Sequence, residues 1–119
     1  MIVVRTADEL ARIVATTPRP IGFVPTMGAL HSGHASLLGR ARAECEAVVA
    51  SIFVNALQFE RSDDLAKYPR TLESDLELCR SEGVDIVYCP DQTTMYPDGF
   101  STVVTVGRLA RILEGADRP

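Results

Sequence analysis

The sequence predicts an α/β fold, a parallel sheet with helices packed on it, organised around one tight turn between a strand and a helix. Three observations point there. Two short apolar runs, residues 47–54 and 84–89, are near-continuous and rich in β-branched side chains, as strands covered on both faces are. Stretches with helical spacing of apolar residues separate these runs from each other and from a third at 21–24. The resulting order of strand, helix, strand, helix, strand implies parallel strands joined by right-handed crossovers.

Taken in order, residues 1–4 form a short apolar run suited to an edge strand. Thr6-Ala7-Asp8-Glu9 fits a capping box, with Thr6 at the N-cap and Glu9 three residues on. The helix that follows is expected to bury Leu10, Ile13 and Val14, and Pro18 and Pro20 stop it. The strand at 21–24, expected to be buried, leads into the turn. A second helix, beginning near His34, is expected to bury Leu37, Leu38, Ala41 and Cys45. The strand at 47–54 delivers Asn55, Gln58 and Phe59 at its carboxyl end, where ligands bind in open α/β sheets. Simple loop capping is the alternative reading for Asn55 and Gln58. Residues 60–67 read as an exposed loop or short helix. Thr71 is a candidate N-cap for a third helix whose buried stripe is Leu72, Leu76 and Cys79, flanked by Leu78. Gly83 stands where a C-terminal glycine belongs, and Pro90 closes the strand at 84–89. Residues 91–100 read as a loop, 102–106 as an exposed edge strand and 108–113 as a short helix ended by Gly115.

The turn itself is Pro25-Thr26-Met27-Gly28-Ala29-Leu30-His31-Ser32-Gly33-His34. It holds both histidines of the chain, three residues apart, which places the two imidazoles on one face of a first helical turn. Gly28 and Gly33 remove side chains where the backbone bends or a ligand approaches. The first amides of a helix lack partners inside it and carry the positive end of its dipole, so the junction suits a phosphate. Two ordinary surface histidines are the alternative. A metal site would need a third ligand, and no nearby Cys or acidic residue offers one at a recognisable zinc spacing.

Composition narrows the classes. The 119 residues suffice for one modest domain, and 46% hydrophobic with 24% charged residues describes a globular chain. A net charge of −4 without a Lys/Arg block argues against holding nucleic acid by its phosphates. No apolar run approaches a membrane span and no signal-peptide pattern opens the chain. Cys45, Cys79 and Cys89 are odd in number and lack CxxC spacing. They read as small buried hydrophobes in a reducing compartment, hence a cytoplasmic protein.

The turn closely resembles the nucleotide-binding signature of the pantoate–β-alanine ligase (pantothenate synthetase) family. Three further blocks agree: residues 51–59 (SIFVNALQF), residues 68–73 (YPRTLE) and residues 113–119 (LEGADRP). Gly83-Val84-Asp85 and Met95-Tyr96-Pro97 fit too. The departures are Ser32 where the family usually has an acidic residue, Ala56 where it has Pro, and Glu60 where Gly is common. The family's chains run on past Pro119 into further ATP- and metal-binding segments and a second domain. The resemblance therefore implies a Rossmann-like sheet with an HxGH nucleotide-binding turn, present here as about the first half of the domain, either truncated or abbreviated.

The resemblance also implies the chemistry. The family joins (R)-pantoate to β-alanine with ATP and Mg²⁺, through a pantoyl adenylate, releasing AMP and pyrophosphate. It implies that Met27, Gly28, Ala29, Leu30, His31, Ser32, Gly33 and His34 form the ATP segment, with His34 the proton donor and His31 beside it. Gln58 is implied to contact both pantoate and β-alanine, and Asn55, Pro25 and Thr26 to line that pocket; Arg118 falls near it. Metal ligands are expected mainly outside these residues. The implied assembly is a homodimer, for which 102–106 is a candidate pairing edge. The same HxGH device serves other nucleotidyltransferases, and a non-catalytic nucleotide-binding or self-associating module is the rival of a different class.

Overall fold

The computed structural model describes residues 1–55, 71–104 and 107. Its elements are β1 (Ile2–Val4), α1 (Ala7–Ala15), β2 (Ile21–Thr26), α2 (Ser32–Glu44), β3 (Ala47–Ile52), α3 (Leu72–Ser81), β4 (Ile86–Tyr88) and α4 (Gln92–Met95). The strands form one sheet in the order β1-β4-β3-β2, and every pairing is parallel. Register runs from Ile21 opposite Ala47 to Thr26 opposite Ile52, with Val49 opposite Ile86. The carboxyl ends of β2, β3 and β4 thus finish side by side. That is where an open α/β sheet binds its ligand.

Alternation along the central strands explains the two-sided burial expected from the apolar runs. Val48, Ala50, Val87 and Cys89 join a core with Leu38 of α2 and Cys79 of α3. Val49, Ile86 and Tyr88 point the other way, into a cluster with Val4 that Leu10 and Ile13 of α1 cover. Helices therefore lie on both faces. Thr6 caps α1 as expected, its hydroxyl accepting the Glu9 amide at 3.2 Å and donating to the Glu9 carboxylate at 2.9 Å.

Several expectations are corrected. Phe23 is 57% exposed because β2 is an edge strand of the described sheet. Leu37, expected in the core, is 56% exposed and shares a surface groove with Phe23 beside that edge. Leu72 is also exposed, and the buried place on that face of α3 is taken by Asp75. Residues 91–100 include the short helix α4, capped by Asp91, whose Oδ1 accepts the Thr94 amide at 2.7 Å. Residues 102–104 form no strand and are exposed. The rest of that expected edge, the loop at 60–67 and the helix at 108–113 lie outside the described residues. No helix among the described residues is long and apolar enough to cross a membrane.

Candidate functional site

A cleft of about 580 Å³ opens at the carboxyl ends of the strands. Pro25, Thr26 and Met27 line it from the end of β2, and Ser51, Phe53 and Asn55 from the end of β3. His34 reaches it from α2, and Tyr88 and Met95 close the far side. Of the expected site residues, the cleft gathers Pro25, Thr26, Met27, Asn55 and His34. Gly28 is buried behind the turn, and Leu30 packs against the core. His31, Ser32 and Gly33 are exposed at the start of α2, beside His34. Gln58 and Arg118 lie outside the described residues.

The two histidines build the helix terminus. His31 is the N-cap of α2, and its Nδ1 accepts the Gly33 amide at 3.0 Å. His34, three residues on, accepts the His31 amide on its own Nδ1 at 3.2 Å. This is a capping box made by two imidazoles in place of Ser and Glu. The ring centroids lie 4.1 Å apart. Because each Nδ1 accepts a hydrogen, the proton of each neutral ring sits on Nε2, where it can be donated outward. Burial lowers the pKa of His34 below 6.5 and the neighbouring His31 lowers it further, while Asp75 opposes both. His34 is therefore neutral at pH 7.

The turn's own amides are engaged within the chain. The Gly28 amide donates to Thr26 Oγ1 at 3.2 Å, and that hydroxyl donates to the Ser51 carbonyl at 2.8 Å. The Ala29 and Leu30 amides donate to Oδ2 and Oδ1 of Asp75 at 2.9 and 2.8 Å. With the His31 and Gly33 amides, five backbone donors of the stretch meet intrachain acceptors. The amides of Ala29 and Leu30 thus face inward, onto Asp75, and the imidazole Nε2–H groups stand free of the cap at the start of α2. Gly28 has a φ of 81°, and a Cβ there would stand 3.0 Å from Asp75 Oδ2, so conformation and space both call for glycine. Ala29 also adopts a positive φ, 51°, which is uncommon for a residue with a side chain.

Two neighbours of the site residues escape the motif. Asp75, 2% exposed, was legible only as a carboxylate three residues from Leu72 and four from Cys79, inside an apolar stripe. Thr71 does precede α3, yet its hydroxyl donates to Asp75 Oδ1 at 3.2 Å instead of capping the helix. Tyr96 donates its hydroxyl to Asn55 Oδ1 at 3.0 Å, and its ring stands edge-on to Phe100. Nothing in the local pattern of residues 91–100 announced that reach back to β3. The cysteines are free; burial pushes the Cys79 thiol up to about 11 and raises Cys89 as well, so neither is a thiolate at neutral pH.

An all-parallel sheet with helices on both faces, and a cleft where its strands end, defines an α/β domain of the ligand-binding type. Within that class the chain belongs to the pantoate-beta-alanine ligase family, whose match spans residues 2–119. It is 51% identical over 119 residues to the pantothenate synthetase of Anaplasma marginale (strain St. Maries), covering 99% of this chain and 43% of that one. A crystal structure of pantothenate synthetase from Thermus thermophilus superposes with a TM-score of 0.85 at 48% identity, covering all of this chain and 43% of that chain. The pantoate-beta-alanine ligase of Francisella tularensis, complexed with beta-gamma ATP and beta-alanine, superposes with a TM-score of 0.91 at 39% identity, covering 100% of this chain and 47% of that chain. The chain therefore spans less than half the length of these relatives.

Proposed function

We propose that these residues form the nucleotide-binding part of an ATP-dependent ligase that condenses (R)-pantoate with β-alanine. The observation that carries the reading is the pair of His31 and His34, each with Nδ1 held by a backbone amide, with His34 lining a cleft that also presents Asn55 and His31 exposed beside it. Membership of the family and the ATP-type ligand and beta-alanine held by the Francisella tularensis relative support it.

The chemistry suits such a site. A carboxylate is a poor acyl donor, so a pantoate oxygen attacks the α-phosphorus of ATP. A C–O–P linkage forms, the bond to the bridging oxygen breaks, and pyrophosphate leaves. The amine of β-alanine then attacks the acyl carbon, the bond to AMP breaks, and the nitrogen loses a proton. His34 and His31 donate hydrogen bonds to phosphate oxygens as charge builds on them, with Met27 to Gly33 setting their position. Pro25, Thr26 and Asn55 line the acid-binding side, and Gln58 belongs to the same proposal. Among the described residues no three His, Cys, Asp or Glu side chains gather into a metal-holding group. A cytoplasmic location, consistent with the free cysteines, and a homodimer complete the proposal.

The test is calorimetric titration of the 119-residue chain with ATP in the presence of Mg²⁺. Saturable binding is expected, weakened roughly ten- to a hundredfold by His34→Ala, the loss of about 1.5–3 kcal/mol for a hydrogen bond to a charged group. Identical binding by the variant would remove His34 from the site. Pantoate- and β-alanine-dependent AMP formation by these residues alone should be slight, and brisk turnover would refute that part of the proposal.

A further inference from the structure

Resting on the nucleotide-binding reading of the turn, we propose that Asp75 is a positioning residue, its buried carboxylate reaching from α3 to clamp the turn and so aim His34 at the cleft. Both oxygens are used: Oδ2 accepts from Ala29 and Oδ1 from Leu30, at 2.9 and 2.8 Å, and the Thr71 hydroxyl adds a third hydrogen bond at 3.2 Å. Consecutive amides converging on one carboxylate make an anion-binding concavity, here filled by a side chain of the same chain. The amides it holds belong to the residues between Gly28 and His31. Ala29 is the residue with the unfavourable positive φ, and the hydrogen bonds to Asp75 compensate that strain. Once Ala29 and Leu30 are fixed, the next amide, that of His31, falls in place to donate to His34 Nδ1. That bond holds the His34 proton on Nε2.

A second consequence is electrostatic. The groups bearing on His34 are His31 from α2 and Asp75 from α3, and only the carboxylate favours its protonation. From β2 and β3 the cleft presents Pro25, Thr26, Met27, Ser51 and Asn55, none of which titrates near neutrality. Tyr88 of β4 has its phenol raised by burial and stays neutral too. Asp75 thus restrains a downward shift that burial and His31 would carry further.

The experiment is heteronuclear NMR of the 119-residue chain and of Asp75→Asn, without nucleotide. In the folded variant the His34 midpoint should fall below that of the parent chain, and the nitrogen shifts of its ring should lose the single Nε2–H signature. The ring signature decides, because loss of the carboxylate charge alone lowers the midpoint; a folded variant that keeps the single Nε2–H signature overturns the proposal. Should Asp75→Asn fail to fold, the parent chain decides. Couplings through the hydrogen bonds should link the amide nitrogens of Ala29 and Leu30 to the Asp75 carboxyl carbon, and their absence overturns the clamp. ATP titration separates the two readings. A parent chain that binds no ATP refutes the nucleotide reading and leaves the clamp judged by NMR. A folded variant is expected to bind ATP about tenfold more weakly, as for one buried donor left unpaired.

Discussion

His31 and His34 spend one nitrogen each on structure and leave the other free of the helix cap. That division makes the helix terminus sensitive to acid. A protonated imidazole carries hydrogen on both nitrogens and can no longer accept the amide that Nδ1 accepts now. His34 has a folded-state pKa below its ordinary 6.5, so the unfolded chain binds the proton more readily. The stability this contributes is fully present above pH 6.5 and is lost as pH falls through the lower folded-state value. Urea unfolding at pH 7.5 and at 5.5 should therefore show a drop that His34→Gln reduces, since the amide oxygen keeps the capping bond without titrating. An equal drop in the variant would assign the acid sensitivity elsewhere. At this scale the sequence was eloquent about which residues matter and silent about how they are held. The spacing of His31 and His34 announced a shared face. That both Nδ1 atoms face the backbone depends on the φ angles of Gly28 and Ala29, which no spacing encodes.

Among elements, the packing of α2 on β2 decides how close the histidines come to the sheet. Gly22 makes the close approach possible: a Cβ there would stand 2.9 Å from the Ala41 Cβ and 3.1 Å from Cys45 Sγ. Gly22→Ala should cost about 1–3 kcal/mol by overpacking, measured as a lower urea midpoint with an unchanged slope. A neutral result would mean that α2 slides without penalty. At the other end of the same helix, Arg42 donates to the Gly83, Cys45 and Glu46 carbonyls and to Asp85. Asp85 in turn accepts the Val48 amide at 2.8 Å, which ties the starts of β3 and β4 to α2. The elements themselves were largely readable. Apolar runs gave β3 and β4, and the Thr6–Glu9 spacing gave the start of α1. What failed was facing: Leu37 and Leu72 fit a helical stripe, but which side of a helix meets the sheet is set by tertiary contacts. Asp75 won its buried place through long-range hydrogen bonds that outweigh its polarity.

For the whole molecule, strand order is decisive. Placing β1 beside β4 leaves β2 at an edge of the described sheet, with Phe23 and Leu37 exposed along it. An exposed apolar edge strand invites pairing with another chain. Sedimentation velocity should show association rising with concentration, and Phe23→Lys should suppress it, because an edge lysine is costly to cover. A strictly monomeric parent chain at high concentration would contradict this. The sequence predicted a parallel sheet but not this order, since β1 reaches β4 across most of the chain.

The clamp on the turn joins residues 46 positions apart. On a ribosome the signature stretch emerges well before the aspartate that finishes it, so its final shape must wait for the third helix to dock. A peptide cut to residues 21–44, or those residues grafted onto a foreign scaffold, would carry every letter of the motif and its helix cap. It would lack the carboxylate that bends the backbone between them. Transplanting this device therefore means moving two distant segments together.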